Sequence, residues 1–378
     1  MRLGFVGWRG LVGSVLRERM QAEADLSGLD VTYFSTSQAG AVGPDGSVLA
    51  DAHDIALLSS CDVVISCQGG DYTKQVHPAL RDAGWSGYWI DSASTLRMES
   101  DAIIVLDPIN RAAIDAALQR GRTRDLIGGN CTTSLMMLAL AGLLQQGLVE
   151  WISTMTYQAV SGAGARAMIE LLTQMHAVDA AVGTLDQPIL TADAKLSKAM
   201  RAADLQRDVF GAPLVGSLLP WIDRALADGQ TREEWKTYAE TNKILGADPP
   251  LPVDGVCVRV PTMRCHSQAI QLKLTRTVDA AEAGALLSDA HAWVDLVPND
   301  KDATLGNLTP AAVAGSLRVA VGRVRNTRLG GDYLSLFTVG DQLLWGAAEP
   351  LRRALRIVLA HEGVRDFPSD PAVISASA

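Results

Sequence analysis

The stretch Leu3-Gly4-Phe5-Val6-Gly7-Trp8-Arg9-Gly10-Leu11-Val12-Gly13 places a short apolar strand directly before a turn with three glycines. After this turn, Val15, Leu16 and Met20 recur at the spacing of one helix face. Strand, glycine turn and helix in this order are typical of a site where backbone N–H groups at a helix N-terminus bind a pyrophosphate. Because the spacing is GxxGxxG rather than the commoner GxGxxG, a plain turn is the alternative interpretation.

Strand and helix patterns continue to alternate as far as residue 130. The predicted strands after the first are Val31–Phe34, Asp62–Ser66, Tyr88–Asp91, Ile103–Leu106 and Leu126–Ile127. This alternation predicts a parallel, doubly wound sheet that binds ligands at the carboxyl ends of its strands. We therefore expect an α/β protein with an N-terminal Rossmann-like domain.

The end of the second strand indicates which dinucleotide this domain binds. Ser35-Thr36-Ser37 stands where an NAD-specific fold usually carries Asp or Glu for the ribose hydroxyl. Hydroxyl groups, with Arg9 close by, would accept a 2′-phosphate, so the sequence favours NADP. The alternative is a polar loop that contacts nothing. Gln68 and the loop Ser92–Arg97 follow other strands and are expected at the same edge of the sheet.

The composition limits the class of protein. The chain has 378 residues, 48% of them hydrophobic, and a net charge of −9 without a stretch dense in Lys or Arg. This length suits two domains, and the charge argues against a nucleic-acid or anionic-membrane partner. Five cysteines without metal-binding spacing indicate reduced thiols and no metal site. With no signal-peptide pattern and no apolar run long enough for a membrane span, we expect a cytoplasmic protein.

Gly128-Gly129-Asn130-Cys131-Thr132-Thr133 is the predicted position of the chemistry. The apolar run Ser134–Leu144 follows it and predicts a helix, so Cys131 would lie in the first turn. Unpaired N–H groups and the helix dipole favour the thiolate there. The alternative is a small buried hydrophobic residue, which describes most free cysteines.

The second half of the chain, from Trp151 on, has a different sequence pattern, with longer strands of mixed polarity. Gln158 ends a longer strand before the small-residue loop Ser161–Arg166, and His266 lies on the apolar parity of a later strand. A histidine in such a place is more often a core residue than a catalytic one. Glu233 and Lys236 are three residues apart on a predicted helix, a spacing that usually means a solvated ion pair.

Taken together, these motifs resemble the bacterial aspartate-β-semialdehyde dehydrogenases over nearly the whole chain. The stretches that carry the resemblance are Gly7–Gly10, Ser35–Gln38, Cys67–Tyr72, Gly128–Thr132, Glu234–Lys236, Arg264–Gln268 and Gly340–Gly346. Residues 177–205, the loop 41–50 and the end of the chain match poorly. The resemblance implies a homodimer and an NADP-dependent enzyme that converts 4-phospho-L-aspartate to L-aspartate 4-semialdehyde, in the biosynthesis of lysine, threonine, methionine and diaminopimelate.

The resemblance also implies roles for individual residues. It makes Cys131 the nucleophile that forms an acyl-thioester, His266 the acid/base and Gln158 the residue that orients the acyl group. It implies that the amino-acid substrate and inorganic phosphate are bound by Arg97, Asn130, Glu233, Lys236 and Arg259. NADP binding falls to Gly7, Arg9, Gly10, Leu11, Val12, Thr36, Ser37, Gln68, Ser161, Gly162, Ala163, Gly164, Ala165 and Gln342.

The expected organisation has three parts. Residues 1–130 would form the NADP-binding domain, completed by a C-terminal helix at about 341–363, and residues 131–340 an α+β catalytic and dimerisation domain with a mixed sheet. Residues 364–378 would form a tail. Three other functions are compatible with the sequence: a reductase of N-acetylglutamyl phosphate, a cysteine acyltransferase or hydrolase without hydride chemistry, and a non-catalytic metabolite sensor.

Overall fold

Two β-sheets organise residues 1–367, which are the residues that the computed structural model describes. The first sheet has seven strands, all parallel, in the order β3-β2-β1-β4-β5-β7-β6. Its strands are β1 (Arg2–Val6), β2 (Asp30–Ser35), β3 (Ala50–Asp51), β4 (Val63–Ser66), β5 (Tyr88–Asp91), β6 (Ala102–Val105) and β7 (Asp125–Gly128). This is the predicted Rossmann-like sheet, and the order reverses beside β1, where such sheets bind ligands.

Helices cover both faces of this sheet, as the apolar character of its strands requires. They are α1 (Leu11–Ala22), α2 (Ile55–Ser59), α3 (Gly70–Asp82) and α4 (Asp107–Gln119), joined by the C-terminal helix α12 (Glu349–His361). Leu351, Leu355 and Val358 of α12 belong to the same buried cluster as Phe5 and Ile90 of the sheet. The last helix of the described chain therefore packs on the first domain.

The second sheet has six strands in the order β11-β12-β13-β10-β8-β9. The strands are β8 (Val149–Gln158), β9 (Val253–Arg259), β10 (His266–Leu274), β11 (Val294–Leu296), β12 (Val319–Thr327) and β13 (Gly330–Gly340). The pairs β8–β9 and β11–β12 are parallel, whereas the pairs β8–β10, β10–β13 and β12–β13 are antiparallel. The sheet is thus mixed, and the α/β fold class with a second mixed-sheet domain is confirmed.

Helix α5 (Cys131–Gln145) connects the two sheets and lies in the larger core. Its residues from Thr132 to Leu143 are buried all round, and Leu138 packs in one cluster with Ile270 and Leu272 of β10. A helix that is apolar on every side must be surrounded by protein. The N-terminus of α5 therefore has a fixed position between the two domains.

The remaining helices lie around the second sheet. They are α6 (Ala165–Val182), α7 (Ile189–Arg201), α8 (Arg232–Leu245), α9 (Ala280–Asp289), α10 (Lys301–Asn307) and α11 (Pro310–Val313). Residues 177–205, where the resemblance is poor, include the end of α6 and all of α7, with a break around Pro188, which precedes the first residue of α7. Of the predicted tail, residues 368–378 lie outside the described residues. Across residues 1–367, none of the helices has the length and apolar composition needed to cross a bilayer.

Candidate active site

Cys131 is the first residue of α5, as the sequence predicts. The side chain of Asn130 caps the helix, because its Oδ1 accepts from the backbone N–H groups of Thr132 (3.0 Å) and Thr133 (3.1 Å). The π-helical turn Leu344–Ala348 passes so close that a Cβ on Gly346 would lie 2.5 Å from the Cβ of Cys131. The thiol is therefore held in one place by a capped helix and by a neighbouring turn.

His266, the first residue of β10, is the partner of this thiol. Its Nε2 lies 3.2 Å from Cys131 Sγ, and its Nδ1 accepts from the backbone N–H of Ala159 at 3.0 Å. A nitrogen that accepts a hydrogen bond carries no proton, so neutral His266 has its proton on Nε2, facing the sulfur. The structure thus brings together two residues to which the resemblance assigns catalytic roles. From the sequence alone, a histidine on the apolar face of a strand is more often a core residue than the partner of a thiol.

Burial determines the protonation of this pair. Burial, and next the carboxylate of Glu233, raises the pKa of the Cys131 thiol to about 12, although three cationic side chains oppose the shift. Burial, and then the charge of Arg259, lowers the pKa of His266 well below its usual value. Desolvation of the sulfur therefore opposes the thiolate that the helix N-terminus is expected to favour.

Glu233 is the centre of a buried polar network rather than half of a solvated ion pair. Its Oε1 accepts from Asn130 Nδ2 (2.9 Å) and Gln158 Nε2 (3.3 Å), and its Oε2 accepts from Lys236 Nζ (3.0 Å). Burial alone would raise the pKa of Glu233, but Lys236 and Asn130 hold it below its usual range. A carboxylate oxygen accepts two bonds, so Oε2 has one position left for a ligand cation.

Arg97 is also buried, although a surface position is the commoner one for an arginine. Its Nε donates to Gly128 O (2.7 Å), Nη1 to Glu240 Oε1 (3.0 Å) and Nη2 to Ser92 O (3.2 Å). Three of its five N–H groups are thus used within the protein, and two remain for a ligand. The other oxygen of Glu240 accepts from the backbone N–H of Asn130 at 2.6 Å, so one carboxylate fixes both residues.

A cavity of about 390 Å³ lies in front of these side chains. Arg259, the last residue of β9, reaches it while its Nη1 donates to Ala159 O at 2.7 Å. The predicted residues that line the cavity are Val12, Arg97, Asn130, Cys131, Gln158, Ser161, Gly162, Glu233, Lys236, Arg259 and Gln342. Predicted cofactor, substrate and catalytic residues therefore meet in one space.

The glycine turn after β1 has the shape needed for close approach of a ligand backbone. Gly7 has a φ of +75°, and a Cβ there would lie 2.5 Å from the carbonyl carbon of Cys67, while a Cβ on Gly13 would lie 2.1 Å from Gly7 O. Gly10 is the N-cap of α1 and offers no side chain to its first turn, which begins at Leu11. The backbone N–H groups of that turn are thus available to a phosphate, as in other phosphate-binding helix N-termini.

The predicted ribose-phosphate residues also lie together. Arg9 donates to Gln38 Oε1, to Ser35 Oγ (3.2 Å) and to Ser37 Oγ (3.4 Å). Gln68 Nε2 donates to Thr36 Oγ1 at 3.3 Å, which joins the ends of β2 and β4. A guanidinium surrounded by hydroxyl groups is a suitable arrangement for a phosphate.

The small-residue loop completes the cofactor side of the cavity. It contains a short 3₁₀ turn, Val160–Ala163, followed by Gly164. Gly164 has a φ of +89° and directly precedes Ala165, the first residue of α6. Ser161 accepts from Gln342 Nε2, and Gln342 Oε1 accepts from Cys265 N at 2.9 Å. A Cβ on Gly162 would lie 3.2 Å from His266 Nε2, so a side chain there would push on the histidine. Ala163 lines a neighbouring cavity with Arg259.

Two charged residues of the site, Glu240 and Asp223, have no counterpart in the sequence prediction. Glu240 follows Glu233 by seven residues on α8, which is two helical turns on one face, so helical spacing could have identified it. Asp223 lines the cavity from a loop, and its Oδ2 lies 2.8 Å from Lys236 Nζ. No local pattern marks Asp223, because only tertiary packing brings it to the lysine.

Two family models match the chain in sequence. Residues 2–117 match the model described as semialdehyde dehydrogenase, NAD binding domain, and residues 140–345 match semialdehyde dehydrogenase, dimerisation domain. The two matches together cover most of both sheets and most of the residues that line the cavity, and β7 and Cys131 lie in the interval between them.

Solved structures of several organisms are similar to the chain. The aspartate semialdehyde dehydrogenase from Francisella tularensis has 47% sequence identity and a TM-score of 0.92, covering 95% of this chain and 99% of that one. Aspartate semialdehyde dehydrogenase II from Vibrio cholerae, complexed with ASA, has 23% identity and a TM-score of 0.78 over 96% and 98% of the chains. The Candida albicans enzyme with NADP has 17% identity and a TM-score of 0.67 over 96% and 99%. The last two likenesses concern the fold alone.

Proposed function

The chain belongs to the aspartate semialdehyde dehydrogenase family, and we propose that it catalyses the NADP-dependent, reversible conversion of 4-phospho-L-aspartate to L-aspartate 4-semialdehyde. It is an oxidoreductase with an NAD(P)-binding domain. The observation that carries the proposal is the distance of 3.2 Å between Cys131 Sγ and His266 Nε2, beside a cavity that Cys131 lines together with cationic side chains. The product would serve the biosynthesis of lysine, threonine, methionine and diaminopimelate.

The residues present fit NADP. The uncapped first turn of α1 would hold the pyrophosphate, and Arg9 with Ser37 and Thr36 would hold the 2′-phosphate. Gln68, Gln342 and the loop Ser161–Ala165 would complete the pocket. When bound in its reduced form, the cofactor supplies the hydride that reduces the acyl group.

The first half-reaction transfers the acyl group to sulfur. Cys131 Sγ attacks the carbonyl carbon of the acyl phosphate, the bond from that carbon to the phosphate oxygen breaks, and a thioester forms. The thiol proton ends on the departing phosphate, which accounts for a nucleophile that is protonated in the ligand-free site. Asn130, Lys236 and the two free N–H groups of Arg97 would bind that phosphate.

The second half-reaction returns the sulfur to its thiol form. His266 would direct its Nε2–H at the sulfur and stabilise by a hydrogen bond the thiolate that forms when the carbon–sulfur bond breaks and the aldehyde is released. Transfer of that proton to the sulfur would require a second proton on Nδ1, because a neutral ring that gave up its Nε2–H would become an imidazolate. The acid half of the proposed acid/base role therefore also requires the loss of the hydrogen bond from Ala159. The base half requires Nε2 without its proton and therefore the loss of the hydrogen bond from Ala159. Gln158, adjacent to Glu233, would orient the acyl group.

Substrate recognition uses one cation and one anion. Arg259 would bind the α-carboxylate, because its guanidinium faces the cavity and can form two parallel hydrogen bonds with a carboxylate. Glu233 Oε2 would accept from the α-ammonium at its remaining position. An N-acetylated substrate offers no ammonium to Glu233, so we expect discrimination against it.

An absorbance assay of NADPH tests this function. The protein is given aspartate semialdehyde and NADP⁺ with and without inorganic phosphate, and N-acetylglutamate semialdehyde is the comparison substrate. We expect NADPH formation that depends on phosphate and is selective for aspartate semialdehyde. Sustained turnover without phosphate would indicate an ordinary aldehyde oxidation and contradict the proposal.

We also propose a homodimer that forms through the outer face of the second sheet. The match to a dimerisation domain supports it, and so does an apolar row in register across four strands, Val256, Met155, Ala269 and Phe337. Val256 and Met155 are 39% and 37% exposed in the single chain. Light scattering during gel filtration tests the assembly, and a monomeric mass would contradict it.

The division of the chain into residues 1–130, 131–340 and the C-terminal helix remains part of the proposal. Packing of α12 on the first sheet and the position of α5 between the two sheets support it. We place the enzyme in the cytoplasm, where its five free cysteines would stay reduced.

A further inference from the structure

Lys236 is held by two carboxylates before any ligand binds. Its Nζ lies 2.8 Å from Asp223 Oδ2 and 3.0 Å from Glu233 Oε2, and its side chain is only 13% exposed. An ammonium group has three N–H donors, so two are already used within the protein. A phosphate that approaches Lys236 therefore meets a cation whose charge is balanced and whose donors are mostly occupied.

The two carboxylates differ in how firmly they are held. Glu233 lies on a helix, is 7% exposed in its side chain and accepts from Asn130 and Gln158 as well as from the lysine. Asp223 lies on a loop, is 32% exposed in its side chain, and also accepts from the backbone N–H of the next residue, Arg224. A partly exposed carboxylate regains water when it leaves, whereas a buried one does not, so Asp223 is the easier one to displace.

We propose that Asp223 competes with phosphate for Lys236 and is displaced when phosphate binds. The inference rests on the proposed phosphate-binding role of Lys236 and adds a positioning residue to it. Without phosphate, Asp223 holds the Lys236 ammonium in place and balances its charge. The affinity for phosphate is lower as a result, because phosphate must displace Asp223. Its removal should therefore strengthen phosphate binding, which is the opposite of what the loss of a structural contact would do.

Asp223→Asn isolates the charge. Asp223 has a φ of +72°, a left-handed conformation that asparagine tolerates well, so the loop should keep its shape. Asp228→Asn is the matched control, because Asp228 lies five residues along the same loop and accepts from Gln230 N at 3.1 Å instead of from Lys236. Both variants change the net charge by the same amount.

Steady-state assays give the first measurement. For Asp223→Asn we expect the KM for phosphate to fall about two- to fivefold, with the KM for aspartate semialdehyde unchanged, because a partly exposed ion pair is worth up to about that factor. Asp228→Asn should leave both constants unchanged. An unchanged or higher KM for phosphate in Asp223→Asn would overturn the proposal. A rise in the KM for the semialdehyde alone would instead place Asp223 at the substrate's amino group.

Titration of inorganic phosphate followed by ³¹P NMR, with the full chain and no cofactor, gives a second measurement that needs no turnover. Tighter binding by Asp223→Asn is expected. If the unsubstituted protein lacked phosphate-dependent activity while this difference persisted, the proposed function would fail and the competition at Lys236 would stand. Equal affinity in the two proteins would reject the competition itself.

Discussion

The acyl site around Cys131 and the ribose-phosphate site around Arg9 lie at the same edge of the first sheet, yet they are built differently. Around Cys131 the charged groups Arg97, Glu233 and Arg259 are each less than 9% exposed and have partners within the protein. Arg9 is exposed and is surrounded by hydroxyl and amide groups. A substitution in the buried site leaves an unpaired charge without water, whereas water can replace a lost contact in the exposed one.

The largest effect is expected at the centre of the buried site. Cys131→Ala should lower kcat by on the order of 10⁴-fold or more, because no other nucleophile is placed to carry the acyl group. NADPH binding, measured by fluorescence titration, should be retained. Cys257→Ala, at a buried cysteine, is the control and should keep its activity. Loss of cofactor binding in Cys131→Ala would point to misfolding and remove the basis of the comparison.

The reactivity of Cys131 toward iodoacetamide should depend steeply on pH in the ligand-free protein. Because burial raises the pKa of the thiol to about 12, the thiolate fraction rises about tenfold per pH unit at every pH well below that value. The rate of alkylation at Cys131 should therefore rise about 100-fold between pH 7 and pH 9. A rate that levels off below pH 8 would mean that the helix N-terminus outweighs desolvation.

Arg259→Lys should raise the KM for aspartate semialdehyde by about 10- to 100-fold, because a lysine cannot form the two parallel hydrogen bonds that a guanidinium forms with a carboxylate. The KM for phosphate should change much less. Initial rates with each substrate varied in turn separate the two constants. Equal effects on both would count against the assignment of Arg259 to the carboxylate.

The smallest effect is expected at the exposed site. Arg9→Gln should reduce the preference for NADPH over NADH by about tenfold, since only one exposed charge near the 2′-phosphate is lost. The ratio of kcat/KM for the two cofactors measures the change, and the KM for aspartate semialdehyde is the internal control. A loss comparable to that in Arg259→Lys would show that exposure does not separate the two sites.

The same contrast explains what could be predicted from the sequence. Local patterns were sufficient for six of the seven strands of the first sheet, for the glycine turn and for Cys131 at the start of a helix, whereas the two-residue strand β3 was not predicted. The pairing of Cys131 with His266 depended on resemblance, since 135 residues separate them and parity indicated only the face of the strand. The desolvation that opposes the thiolate was not predicted, because burial depends on packing from both domains. Asp223 was missed because its contact with Lys236 depends on the path of a loop.

The acyl-enzyme itself is the most direct test of the proposed chemistry. The protein is mixed with aspartate semialdehyde and NADP⁺ in the absence of phosphate, quenched in acid and analysed by peptide mass spectrometry. We predict a burst of NADPH close to one equivalent per subunit and a β-aspartyl adduct on the peptide that contains Cys131, which phosphate discharges. An adduct on another residue would contradict the account, and so would a burst that leaves no adduct or an adduct that phosphate does not release.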